Sequence, residues 1–133
     1  MTRILVAEDN VMIGMMIAAD LERAGYEVLG PFHRNAPALA AAATMPCDLA
    51  LLDIDLQDGD DGVELARHLR ERYGLKAIFV TGQRDQAEAA RAEALGALVK
   101  PFRSDALIET VTSGLRYAQD GERPREAGGC RWF

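Results

Sequence analysis

Leu49-Ala50-Leu51-Leu52-Asp53-Ile54-Asp55 is the stretch that decides the fold of this chain. Four successive apolar residues without polar alternation suit a strand buried on both faces, as in a parallel sheet. Asp53 then falls where that strand emerges at the carboxyl edge, which is where open α/β folds gather ligands. The chain on either side repeats the pattern. Arg3–Ala7 is a short apolar strand ending in Glu8-Asp9, and Glu27–Gly30 is a second, stopped by Gly30-Pro31. Ala77–Val80 is a fourth ending in Thr81-Gly82, and Ala97–Val99 a fifth ending in Lys100-Pro101.

Helical periodicity fills the intervals. Asn10 can cap a helix running to Ala24, with Met12, Ile13, Met16, Ile17, Leu21 and Ala24 on its inward face and Gly25 closing it. An alanine-rich helix covers Asn35–Thr44, and a third, Val63–Tyr73, turns Leu65, Ala66 and Leu69 inward. The fourth spans Asp85–Leu95. The fifth, capped by Ser104, carries Leu107, Ile108, Val111, Leu115 and Ala118. Alternation of this kind predicts right-handed βαβ units. The fold class is therefore α/β: a three-layer α/β/α sandwich on a five-stranded parallel sheet in the flavodoxin-like order 2-1-3-4-5. The domain spans residues 1–119, and 120–133 form a C-terminal tail too short to fold into an effector domain. Glu122–Gly129 reads as disordered by composition; Trp132 and Phe133 suit either a contact between copies or docking on the chain's own surface.

Composition narrows the function classes. The 133 residues are 49% hydrophobic and 27% charged, as in ordinary soluble globular proteins. A net charge of -6 without a Lys/Arg cluster argues against nucleic acid as a partner. Cys47 and Cys130 follow no metal or redox spacing, so a reducing cytoplasm is expected, with Cys47 a small buried apolar residue. No signal peptide or membrane-length apolar run is present. Isolated His33 and His68 suit surface roles, and Met12, Met15 and Met16 suit the core and its flanks. The acidic loop Asp58–Asp61 lacks the spacing and closing glutamate of a calcium loop.

Every polar residue that follows a strand lies at one edge of the sheet. Strands one and three are neighbours across the switch point, so Glu8, Asp9 and Asp53 crowd one crevice. Like charges this close raise one another's pKa values unless a cation intervenes. Oxygen-only ligation suits Mg²⁺, which keeps several waters and takes one or two carboxylates with phosphate oxygens. Lys100 offers a point charge for a phosphate oxygen and Thr81 a hydroxyl donor. Asp53 is then the nucleophile toward phosphorus, giving an acyl phosphate.

Ile4-Leu-Val-Ala-Glu-Asp9, Leu51-Leu-Asp-Ile-Asp55, Thr81-Gly82 and Lys100-Pro-Phe102, in that order and at those strand ends, resemble the response-regulator receiver domain of two-component signalling. The resemblance covers nearly all of residues 3–118. It implies a single-domain, CheY-like regulator in which Asp53 accepts phosphate from a sensor histidine kinase or histidine phosphotransferase. It implies Mg²⁺ served by Glu8, Asp9, Asp53 and the Asp55 carbonyl, Thr81 and Lys100 as switch residues, and a cis peptide before Pro101. Output would pass through the fourth helix, fifth strand and fifth helix to a protein target or homodimer, or the domain would act as a phosphate sink. Catalysis would be limited to its own phosphorylation and dephosphorylation, with Asp55 and Gln83 tuning hydrolysis. Three departures stand out. Ala97 replaces the aromatic that many receivers carry three residues before the lysine. The loop after Asp53 lacks the common proline at position 57. Ile78-Phe-Val-Thr-Gly-Gln83 only partly matches the Phe-Ala-Thr-Gly subgroup. Two competitors remain: a phosphorylation-independent pseudo-receiver scaffold, and a haloacid-dehalogenase-like phosphatase suggested by Asp53-Ile-Asp55. The latter family carries its Asp-x-Asp on the first strand.

Overall fold

The computed structural model describes residues 1–126 and 129–133. Its elements are β1 (Arg3–Ala7), α1 (Val11–Arg23), β2 (Glu27–Phe32), α2 (Asn35–Thr44), β3 (Leu49–Leu52), α3 (Gly62–Tyr73), β4 (Ala77–Thr81), α4 (Arg84–Ala89), β5 (Gly96–Val99), α5 (Ser104–Asp120) and β6 (Cys130–Trp132). The sheet order is β2-β1-β3-β4-β5-β6. The first five strands are parallel, in the expected order, and β6 adds antiparallel to β5.

Strand alternation sorts the core into two layers. Leu5, Ala50, Leu52, Phe79 and Ala97 face one side, packed by α2 and α3 residues such as Ala38, Leu65 and Leu69. Ile4, Val6, Leu51, Ile78 and Leu98 face the other, with Ile17 and Leu21 of α1 and Leu107 and Val111 of α5. Both layers press on β3, whose four residues are all buried, so Asp53 leaves a fully enclosed strand.

Six strands rather than five is the main correction, and it comes from the tail. Residues 121–126 contain no helix or strand, but Cys130–Trp132 pair with Gly96–Leu98 and Trp132 is 1% exposed. Of the stretch expected to be disordered, residues 127 and 128 lie outside the described residues. β2 also runs through Gly30-Pro31 to Phe32, with Gly30 at φ 110°. A proline is tolerated there because β2 is an edge strand. α4 is only six residues, followed by a 3₁₀ turn at Arg91–Glu93, because Ala87 alone among its residues is buried.

Asn10 caps α1 as expected, accepting from the Ile13 N–H at 3.0 Å. Ser104 does not cap α5. Arg103 holds the cap position without a side-chain bond, and the Ser104 hydroxyl donates to Asp20 Oδ2 at 2.7 Å. Met12, Met15 and Met16 are 73%, 62% and 62% exposed, contrary to a core or flank role, because α1 buries Gly14, Ile17, Ala18 and Leu21 instead. Cys47 is half-buried rather than buried.

Candidate functional site

Glu8 and Asp9 follow β1, Asp53 follows β3, Thr81 ends β4 and Lys100 follows β5, all at one sheet edge. The Asp53 N–H donates to the Ala7 carbonyl at 2.8 Å, extending the β1–β3 ladder to the residues that bear the acids. Glu8 N–H donates to Phe32 O at 2.8 Å in the same way. Carboxylate oxygens of Glu8, Asp9 and Asp53 lie within 4.8 Å of one another. Lys100 Nζ reaches Asp53 Oδ2 at 2.9 Å and Glu8 Oε1 at 2.6 Å. The Glu8 contact is an ion pair, made by a buried carboxylate oxygen.

The electrostatics follow from crowding in a dry crevice. Glu8 is 1% exposed; burial, reinforced by its hydrogen bond with Asp9, pushes its pKa up to about 8. Asp53, 5% exposed, is raised by burial and then by Asp9. Asp9 sits nearer solvent and is lowered, chiefly by the hydrogen bond from Glu8. Burial works against the Lys100 ammonium, but its contacts with Glu8 and Asp53 outweigh that and raise its pKa. Three acids facing one lysine thus raise the proton affinity of Glu8. A divalent cation is the group that would relieve them. The oxygen-only donor set and the close approach of its members fit one.

The surroundings fix these side chains. Asn10 N–H donates to Glu8 Oε2 at 3.0 Å, and His33 Nδ1 contacts the Glu8 carbonyl at 2.7 Å. Gln57 Nε2 donates to the Asp9 carbonyl at 2.8 Å, so the residue found where receivers often carry proline ties the β3–α3 loop to β1. Fully buried Thr81 accepts the Gln83 N–H on Oγ1 at 2.9 Å, joining β4 to the start of α4. Lys100 N–H donates to Thr81 O at 2.9 Å. Asp55 and Gln83 are exposed at the rim. The Lys100–Pro101 peptide is cis, as the resemblance implies, and Gly30–Pro31 is cis as well.

Sequence reasoning missed Gly62. A Cβ there would overlap the Asp53 carbonyl oxygen, and Gly62 N–H donates to Ile54 O at 2.7 Å. The first residue of α3 is therefore pressed against the backbone of Asp53. An isolated glycine in an Asp- and Gly-rich loop gives no sign of that contact.

The sequence profile of the family "Response regulator receiver domain" matches residues 4–112. The chain belongs to this family. Among its relatives, the transcriptional regulatory protein PdtaR of Mycobacterium tuberculosis is 33% identical over 112 residues, covering 82% of this chain and 54% of that protein. The phyllosphere-induced regulator PhyR of Methylorubrum extorquens is 31% identical over 129 residues, covering 95% and 48%. The chain thus spans about half the length of the curated relatives it matches. A CheY-like receiver domain protein from Methanospirillum hungatei superposes with TM-score 0.79 at 29% identity, covering 92% of this chain and 99% of that one. PhyR from Brucella abortus gives TM-score 0.81 at 26% identity, covering 90% and 50%. One departure noted in the sequence, at position 97, lies within the core. Ala97 is buried on β5, and Phe133 of the tail joins the same core layer.

Proposed function

We propose that this receiver is a phosphoryl-accepting signalling module with Asp53 as acceptor. An Asp53 carboxylate oxygen bonds to the phosphorus of a phosphohistidine on a sensor histidine kinase or histidine phosphotransferase. The N–P bond breaks and the imidazole leaves with its electron pair. The observation that carries this reading is the Lys100 ammonium 2.9 Å from Asp53 Oδ2, with Glu8 and Asp9 beside it. Glu8, Asp9, Asp53 and the Asp55 carbonyl would serve Mg²⁺, whose charge helps to balance that of the transferred group. Lys100 pairs with a phosphoryl oxygen, and the Thr81 hydroxyl donates to another. The exposed side chains of Asp55 and Gln83 flank the path of the water that later hydrolyses the acyl phosphate. The chain catalyses only its own phosphorylation and dephosphorylation.

Thr81 is bonded to the Gln83 N–H and Lys100 continues β5, so both links run into α4 and β5. Movement of either residue toward a phosphoryl group biases the surface of α4, β5 and α5. That surface would carry the signal to a protein target in the cytoplasm. No helix is long and apolar enough to cross a membrane among the described residues.

Incubation with acetyl phosphate and Mg²⁺, followed by intact mass, tests the reading. One phosphoryl group per chain is expected, alkali-labile and absent from Asp53→Asn. No label with any small donor would leave a binding scaffold. Multiple turnover of a phosphate ester would instead revive the phosphatase reading.

A further inference from the structure

The structure assigns the edge of β5 a second role: a binding site for an extended peptide, covered in cis by a detachable strap, Cys130–Phe133. β5 is the last parallel strand, and its outer edge would be open without β6. An open edge presents unpaired N–H and C=O groups that accept another strand. Here Gly96, Ala97 and Leu98 pair antiparallel with Trp132, Arg131 and Cys130, and the Phe133 N–H donates to Leu95 O at 2.9 Å.

The seat is shaped for particular side chains. Trp132 lies over the α5 side, its ring edge-on to Tyr117 at 5.9 Å and close above Gly96 and Gly114. A Cβ on Gly96 would come within 2.9 Å of Trp132 Cε3 and 2.6 Å of Arg131 O, so only glycine leaves this space clear. Phe133 falls on the α4 side, with the Arg91 guanidinium 5.8 Å from its ring. Arg131 reaches Glu88 of α4 at 2.7 Å. The site therefore reads a basic residue followed by two large aromatics, in extended conformation, and bridges α4 to α5.

The strap is short enough to exchange as a unit, its anchors being the buried Trp132 ring and the Tyr117 hydroxyl, which donates to the Phe133 carbonyl at 2.6 Å. It is three residues of strand, and residues 121–126 before it contain no helix or strand. Arg131 makes surface ion pairs, which hold weakly. The backbone edge and the aromatic seat would then receive a partner segment of the same chemistry. None of this depends on phosphoryl transfer at Asp53.

Two measurements test it. In the full chain with Cys47→Ser, buried Cys130 is the sole thiol, so its labelling reports strap opening. Labelling at least tenfold faster than global unfolding, and insensitive to low urea, is expected. Labelling only at the global unfolding rate overturns the detachable strap. Separately, a fluorescein-tagged Gly-Ser-Arg-Trp-Phe peptide is titrated against a full chain carrying Trp132→Ala and Phe133→Ala, with circular dichroism confirming the fold. Saturable binding, at least tenfold weaker to the unaltered chain and lost on adding Gly96→Ala, supports the site. A folded variant without saturable binding overturns the peptide half of the proposal, and if the double variant does not fold, the same titration on Phe133→Ala alone, with the same two outcomes, decides it.

Discussion

Glu8 is a residue whose proton affinity the fold changes strongly. Its carboxyl ordinarily titrates near 4.5, but burial beside Asp9 lifts it to about 8. The folded chain therefore keeps a proton that the unfolded chain has released. Stability from that proton is complete below the unfolded value and is lost as pH rises through the folded one. Asp9 acts in the opposite sense, but only as pH falls below its ordinary 3.8. In EDTA, urea midpoints should fall as pH rises from about 5 to 9, and Glu8→Gln should flatten that slope. A slope unchanged by the substitution would place the proton elsewhere. Gly62 yields a second prediction at the same scale. Gly62→Ala forces a Cβ into the Asp53 carbonyl, so either α3 or the acid must move. Overpacking of this kind costs roughly 1–3 kcal/mol. Denaturant melts should show that loss, and labelling of Asp53 by a small phosphodonor should slow with it.

At the scale of elements, what could be read from the sequence depended on how many residues share a signal. β3 announces itself because four apolar residues and an acid agree, and β1, β4 and the inward faces of α3 and α5 follow by the same logic. The site was equally readable, since a parallel sheet brings all its strand ends to one edge. α4 was overdrawn because alanine favours helix wherever it stands, while Ala87 alone within the six-residue helix is buried and Ala90 and Ala94 pack only partly. β2 was cut short because Gly30-Pro31 usually breaks a strand, and its edge position removed the penalty. The Met12, Met15 and Met16 face failed for a related reason. Helical spacing identifies an apolar stripe but not the side from which the sheet approaches, and Gly14 and Ala18 give the closer contact. β6 could not be read at all: three residues carry no periodicity, and their pairing is long-range. Its dependence on Gly96 can be tested. Gly96→Ala places a methyl 2.6 Å from Arg131 O, which should lift the strand, lower stability by roughly 1–3 kcal/mol and red-shift the fluorescence of Trp132, the chain's single tryptophan. Unchanged emission would mean that the strand accommodates the methyl.

For the whole molecule the question is what relieves an acidic crevice in an acidic protein. The net charge is -6, so any salt stabilises the fold somewhat by screening. A specific cation does more, because it binds the folded arrangement of Glu8, Asp9 and Asp53, which the unfolded chain lacks. Mass action then adds about 1.4 kcal/mol at ten times the dissociation constant and about 2.7 at a hundred times. Millimolar Mg²⁺ should therefore raise the melting temperature beyond what NaCl of equal ionic strength achieves. Asp9→Ala or Asp53→Asn should erase the excess. The effect should also depend on pH in a direction set by Glu8. Near pH 6 that carboxyl holds its proton in the folded chain, so Mg²⁺ must displace it; as pH rises through about 8 progressively less remains to displace. The Mg²⁺-dependent rise should accordingly be larger at pH 8.5 than at pH 6, with proton release seen calorimetrically at the lower value (both roughly placed around the shifted carboxyl). An equal rise at both values, or one that survives loss of Asp9, would reduce the ion's action to screening and detach it from these three acids.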